Sequence, residues 1–255
     1  MRVLLTRAKE DAARSAARLA AAGHTALVSP LIDIVDLSAA IPSEGFDALV
    51  VTSAHASGSA AAARFAADHG ATPLWVVGAR TLAAALLAGL RGPALVAPDA
   101  AALVAEVAQL ASRPRRALYL AGADRKPTLE VGLAQLGIVV TTREVYAARA
   151  AAGLNDEAAA ALRRGLVDVA LHYSPRSAAL FVAAASRAGV APDACRHACL
   201  SGDAAAPLRA AGASRIDVAA APTEDALLQT LTRPPAAADF SVSPEQSFPA
   251  GVDRS

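Results

Sequence analysis

The chain's 255 residues are 55% apolar but only 4% aromatic, so its core must be built from Ala, Leu and Val, with much of the Ala on helices. A net charge of +1 supplies no positive field for nucleic acid, and no apolar run reaches the roughly 20 residues of a membrane span. Met1-Arg2-Val3-Leu4-Leu5-Thr6-Arg7 meets charge too soon for a secretion signal, and Cys195 and Cys199 alone make no disulfide framework. A cytoplasmic protein with neither a nucleic-acid nor a membrane partner is expected.

Read in order, short apolar runs alternate with Ala-rich helical stretches. A strand over 3–6 ends at Thr6-Arg7, and a helix over 9–22 follows, stopped by Gly23. After a strand over 24–28, residues 30–37 alternate in an extended pattern and read as a connector. The alternation resumes with strand 48–51, helix 54–69, strand 74–77, helix 82–88, strand 94–97, helix 100–110, strand 117–120 and helix 127–136. Extended pieces over 138–141 and 143–148 close that block. The remainder repeats the scheme: helix 156–164, strand 169–173, helix 176–188, strand 197–200, helix 203–211, strand 215–218 and helix 223–231. Such alternation predicts an α/β fold of parallel sheets covered by helices on both faces. From 234 to 255 the composition shifts to Pro, Ser and Ala without periodicity, which predicts a disordered tail.

The second half repeats the first at its strand ends. Thr52-Ser53 corresponds to Ser174-Pro175, Val77-Gly78-Ala79-Arg80 to Leu200-Ser201-Gly202-Asp203, and Ala97-Pro98-Asp99 to Ala221-Pro222-Thr223. Leu5-Thr6-Arg7 before Gly23 likewise corresponds to Leu120-Ala121-Gly122 before Gly137. Ligands of open parallel sheets bind beyond the carboxyl ends of the strands. A Ser or Thr in the N-cap position there leaves backbone N–H groups and the helix dipole facing outward, which makes an anion site. Two such edges facing each other would form a cleft for a ligand with several negative groups.

The order of the loops fits two contiguous domains divided near Arg113-Pro114. It fits equally a central domain inserted into an outer one through 30–37 and 142–148, and those extended segments favour the insertion. On that reading 1–32 and 149–233 form the outer domain, 38–142 the inserted one, and 33–37 with 143–148 the linker strands.

Conventional catalytic signatures are missing. Leu5-Thr6-Arg7-Ala8-Lys9-Glu10 has no glycine to admit a pyrophosphate, and no P-loop is present. The histidines at 24, 55, 69, 172 and 197 show no ligand spacing with carboxylates, and no serine sits on a nucleophile elbow. Cys195-Arg196-His197-Ala198-Cys199 looks superficially like a metal clip, but without a second pair it reads as small buried cysteines, and no metal is expected. What remains is hydroxyls, glycines and cations at strand ends: Thr6, Arg7, Thr52, Ser53, Gly78, Thr81, Gly122, Arg125, Lys126, Ser174, Ser177, Ser201, Gly202 and Thr223. Singly, each hydroxyl reads as a helix cap; recurring at equivalent edges, the set reads as a binding surface. Tyr146 stands on the crossing strand where a hinge would lie. Its phenol could donate a proton into the cleft, though phenols, with an ordinary pKa of about 10, are weak acids.

The ordered set Leu4-Leu5-Thr6-Arg7, Pro30-Leu31, Val51-Thr52-Ser53-Ala54, Val77-Gly78 with Thr81, Gly137 followed by Val145-Tyr146, Ser174-Pro175 and Ala221-Pro222-Thr223 resembles the uroporphyrinogen-III synthase family, in order from Val3 to about Leu231. The resemblance implies two flavodoxin-like or Rossmann-like domains joined by a two-stranded linker, one inserted in the other. It also implies cofactor-free cyclisation of hydroxymethylbilane, a linear tetrapyrrole, in the interdomain cleft. Loss of water gives an azafulvene, attack on the substituted carbon of ring D gives a spiro intermediate, and ring D is inverted before closure. By the resemblance, Tyr146 assists loss of the hydroxyl, and Thr52, Ser53, Thr81, Ser174 and Thr223 line the cleft. The chain departs from the family at Asp203-Ala204-Ala205, where relatives often carry Thr, so a contact from that loop would come through its backbone. A monomer is expected, since the repeat supplies both walls. The competing readings are a two-lobed cytoplasmic protein that binds a small carboxylated ligand without catalysis and, more weakly, a nucleotide-dependent enzyme.

Overall fold

The structure, a computed structural model, describes residues 1–42, 45–112 and 114–232. The tail expected over 234–255 lies outside the described residues, as do Arg233 and Arg113.

The chain opens with β1 (Arg2–Leu5), α1 (Lys9–Ala21), β2 (Thr25–Val28) and β3 (Ile32–Asp36). Next come β4 (Ala48–Val51), α2 (Ala54–Ser57), α3 (Ala60–His69), β5 (Leu74–Val77), α4 (Ala79–Leu87), β6 (Ala94–Ala97), α5 (Ala100–Ala108), β7 (Arg116–Gly122), α6 (Thr128–Gln135) and β8 (Val139–Ala150). It closes with α7 (Asp156–Arg163), β9 (Val169–His172), α8 (Pro175–Arg187), β10 (Arg196–Cys199), α9 (Gly202–Ala210), β11 (Ile216–Val218) and α10 (Glu224–Gln229). A 3-10 turn over Thr230–Thr232 follows.

Two sheets result. One is ordered β2-β1-β9-β10-β11 and is wholly parallel. The other is ordered β3-β8-β7-β4-β5-β6, with only β3 antiparallel. The first sheet draws strands from both ends of the chain and the second from its middle; we refer to them as the outer and inner lobes.

Alternation along each central strand divides its side chains between two cores, because successive residues point to opposite faces. In the outer lobe Leu4 packs with Leu162, Phe181 and Leu208 on one face. Val3 and Leu5 pack with Leu19, Leu171 and Leu227 on the other. In the inner lobe Leu49 and Val51 join Phe65 and Leu120, while Val50 joins Trp75, Tyr119 and Leu133. Every residue of β4, β9 and β10 is buried, as a parallel sheet covered on both faces requires.

Two elements differ from the sequence reading. The helix expected over 54–69 is broken into α2 and α3, because Ser59 ends one and caps the other, its oxygen accepting from the Ala62 N–H at 3.2 Å. The two extended pieces near 138–148 are one strand. β8 pairs with β7 from Arg116↔Val139 to Gly122↔Tyr146 and then with β3 from Asp36↔Tyr146 to Ile32↔Ala150.

That continuity sets the relation between the lobes. β8 leaves the inner sheet at its carboxyl edge, and β3 arrives from the carboxyl edge of β2, with Ala151 N–H donating to the Leu31 carbonyl at 3.1 Å where the ribbon joins the outer lobe. The carboxyl edges of the two sheets therefore face each other across the ribbon.

Candidate active site

Ion pairs join the facing edges. Asp11, in the first turn of α1, receives Arg80 from the start of α4 at 2.9 Å, and His55 from α2 lies 3.7 Å away. On the other side Arg176, in the first turn of α8, pairs with Asp124 beyond β7 and donates to the Ala148 carbonyl of the ribbon. Between the lobes lies a cavity of about 370 Å³. Its walls come from three places: Glu10 and Arg14 of the outer lobe, Ala54, His55, Gly58 and Arg80 of the inner lobe, and Ile34, Asp36 and Tyr146 of the ribbon.

Three larger hollows are less suited to chemistry. That between α5 and α6 is lined by residues such as Val104, Pro127, Val131 and Gly132, with no acid or base. Two more remain. One, between α8 and α9, is lined mainly by apolar residues such as Phe181, Val190 and Leu208. The other lies at the amino edge of the inner sheet around Pro73, Trp75 and Pro93, away from the strand ends where α/β sheets bind ligands. Of these four hollows among the described residues, the interlobe cavity is the one that gathers acids, bases and a phenol from both lobes.

Tyr146 is half-buried in this cavity, its ring centroid 5.6 Å from that of His55 at an interplanar angle of 52°. Gly122 sits beneath it on β7: a Cβ there would fall 2.7 Å from Tyr146 Cζ, so the absence of a side chain makes room for the phenol. Arg125 braces the same place, donating to Glu130 at 2.7 Å, to Glu144 at 2.9 Å and to the Gly122 carbonyl at 3.1 Å. Lys126 is exposed beside it.

The other residues singled out in the sequence serve mainly as structure in this arrangement, and none of them lines the cavity. Ser53, Ser174, Ser201 and Thr223 are N-caps whose oxygens accept backbone N–H bonds from His55, Ser177, Ala204 and Ala226. One N–H at each of these helix starts is thus already satisfied. Ser177 completes a capping box with Ser174 and is itself buried. Thr81 is buried in the first turn of α4, where its carbonyl accepts from Ser57 Oγ at 3.3 Å. Thr52 Oγ1 lies 2.8 Å from the Tyr119 hydroxyl. Burial pushes the Tyr119 phenol up, and the Thr52 bond offsets part of that. Gly78 turns the chain into α4 at φ 82°, and Gly202 is exposed at the start of α9.

Thr6 is fully buried, and its Oγ1 has no hydrogen-bond partner. Arg7 lies 3.9 Å above the Tyr173 ring and pairs with Glu224 at 3.2 Å and Asp11 at 3.7 Å. Glu224 also accepts from Ser15 and Tyr173, so this arginine is held inside the outer lobe rather than offered to a ligand.

The sequence reading missed Asp11, Arg14, His55 and Arg80. His55 and Asp11 lie on different lobes, so no linear spacing reports their meeting. Asp11 is the electrostatic centre of the group. Burial pushes its carboxyl up, but the facing His55 imidazole and the Arg7, Arg80 and Arg14 guanidinium groups together outweigh that and hold it well below the usual carboxylate range. Cys195 and Cys199 are buried thiols, each pushed up to about 12 by burial. Among the described residues no group of three or more His, Cys, Asp and Glu could hold a metal ion.

A family model described as uroporphyrinogen-III synthase HemD matches residues 13–229. Among solved structures, uroporphyrinogen-III synthetase from Helicobacter pylori is 15% identical, with 91% of this chain and 98% of that one covered at a TM-score of 0.60. A mutant uroporphyrinogen III synthase from Thermus thermophilus is 19% identical, with 91% and 97% covered at a TM-score of 0.49. No curated protein sequence matches the chain.

Proposed function

The chain belongs to the uroporphyrinogen-III synthase family and is an enzyme of porphyrin biosynthesis; we propose that it cyclises hydroxymethylbilane, with inversion of ring D, in the cleft between its lobes. The observation that carries the location is the interlobe cavity, to which both lobes and both ribbon strands contribute and into which Tyr146 projects.

The pyrrole nitrogen beside the hydroxymethyl carbon drives departure of the oxygen once that oxygen is protonated. The larger task is conformational, because the bilane must be folded so that ring D is attacked at its substituted carbon before simple closure occurs. Holding reacting atoms in such a geometry can supply several kcal/mol of a barrier, up to about 7–11. In this reading Tyr146 donates a hydrogen bond to the leaving hydroxyl. Arg14 and Arg80, together with uncapped N–H groups at the starts of α2, α4 and α8, meet the acetate and propionate groups.

A cavity of about 370 Å³ is near the lower limit for drug-sized ligands, and a tetrapyrrole is larger. Entry of the bilane therefore requires the lobes, residues 1–32 with 149–233 and residues 38–142, to part about the linker strands 33–37 and 143–148, and the closed cavity takes only the reacting end of the chain. One chain supplies both walls, which supports a monomer. None of the helices among the described residues is long and apolar enough to cross a membrane, and a cytoplasmic location is in keeping with that.

The test is a coupled assay in which porphobilinogen and hydroxymethylbilane synthase generate the bilane and the oxidised products are separated by isomer. Isomer III should dominate with this protein present, and Tyr146→Phe should slow its formation at least tenfold. Isomer I at the uncatalysed rate would overturn the reading. Full activity in Tyr146→Phe would remove the phenol from the reaction.

A further inference from the structure

We propose that His55 is the proton donor to the leaving hydroxyl, oriented by Asp11 of the opposite lobe and therefore complete only when the lobes are closed. The proposal rests on the cleft being the site of the reaction.

Four observations converge on it. The His55 Nε2 atom lies 3.7 Å from Asp11 Oδ2, with the two side chains only 19% and 15% exposed. The imidazole and the Tyr146 phenol are ring neighbours and line the same cavity, so both groups can reach one substrate atom. The backbone of His55 is fixed, its N–H donating to Ser53 Oγ at 3.2 Å. Finally, the carboxylate that faces the imidazole comes from the other lobe.

The chemistry favours imidazole over phenol. Imidazole ordinarily changes charge between about pH 5 and 8, where a general acid is most effective, whereas a phenol ordinarily does so near 10. Glu10, Asp11 and Arg14 face the site from α1, Arg80 from α4, Asp36 from β3 and Tyr146 from β8.

The step balances within the site. The carbon–oxygen bond of the hydroxymethyl group breaks as the pyrrole nitrogen's electron pair moves toward that carbon. A ring N–H proton of the imidazolium passes to the departing oxygen, which leaves as water. The neutral imidazole left behind then takes the pyrrole N–H proton, giving the neutral azafulvene and restoring the imidazolium. Tyr146 holds the oxygen by its hydrogen bond throughout.

The experiment follows the rate of isomer III formation against pH for the wild-type protein, His55→Gln and Asp11→Asn, with thermal unfolding as a check on folding. An acid that must be protonated gives a wild-type rate that falls as pH rises through its pKa. In His55→Gln the rate should drop by about 10²-fold or more and that alkaline limb should vanish. In Asp11→Asn, which removes the carboxylate that orients the ring, the rate should fall at least tenfold while the alkaline limb is kept. A His55→Gln profile of unchanged shape would overturn the proposal, whatever the rate, and so would an unaltered rate in Asp11→Asn. Absence of isomer III from the wild-type protein would instead overturn the reading of the cleft on which the proposal rests.

Discussion

Gly122 and Tyr146 face each other across β7 and β8 so closely that a methyl group at residue 122 would lie 2.7 Å from Cζ and 2.8 Å from the hydroxyl oxygen of the tyrosine. The obstacle is the far end of a side chain that borders a cavity, so the ring can swing away without moving the sheet. Gly122→Ala is therefore expected to spare the fold, costing at most about 1–3 kcal/mol of stability. Misplacing the phenol should lower the rate of isomer III formation by about 10²-fold. Denaturant unfolding and the coupled assay, run on one preparation, separate the two effects; normal activity would show that Tyr146 need not hold this position.

The bridges between the lobes are exposed on at least one side, Arg80 at 52% and Arg176 at 46% of their side chains. Such pairs contribute about 0–1 kcal/mol to stability. Replacing both arginines by Met should leave the melting temperature nearly unchanged while shifting the population toward parted lobes, visible as a larger radius of gyration in solution scattering. An unchanged radius would mean that the ribbon alone fixes the angle.

Glu224 ties α10 to α1 and Tyr173. Burial raises its pKa, but the bonds from Ser15 and Tyr173 and the charges of Arg7 and Arg18 outweigh it, so the folded value lies below the ordinary 4.5. A depressed carboxylate contributes stability that is present above its unfolded pKa and lost as pH falls through the folded one. Stability should thus decline below about pH 4.5, and Glu224→Gln should flatten that decline while costing about 1–3 kcal/mol near neutrality. A variant as stable as wild type at pH 7 would refute this role.

His172 is fully buried, with Nε2 3.1 Å from His197 Nδ1, and burial and the neighbouring ring push it down to about 3. A histidine neutral in the fold but protonated when unfolded weakens the fold as pH drops from about 6.5 toward 3. The His172 ring resonances should keep their neutral positions from pH 8 to about 5 in an NMR titration; a titration midpoint near 6 would contradict the burial argument.

The strand and helix alternation was legible because the period of apolar residues changes from two to 3.6 and each helix carries its own stop. Gly23, Gly78 and Gly137 take positive φ at such boundaries. The break at Gly58-Ser59 was also written in the chain, as a glycine followed by a capping residue, but the alanines on either side masked it. The hydroxyls were legible as caps, yet sequence could not tell a cap facing ligand from one facing its own helix. Buried Ser177 and Thr81 fall in the second group. The meeting of His55 with Asp11 was not legible at all, since it depends on how the ribbon sets one lobe against the other.

The ribbon divides labour unequally between its ends. Tyr146 is still in register with Gly122 of the inner sheet when β8 begins to pair with β3, so phenol and imidazole both stand on the inner lobe's side of the cleft. Toward the outer lobe the ribbon runs on to the bond between Ala151 and Leu31, and what meets the imidazole from that side is the carboxylate of Asp11. On the proposed mechanism enclosure and ignition are then a single event, so the bilane would not be pressed to shed its hydroxyl while water still has access.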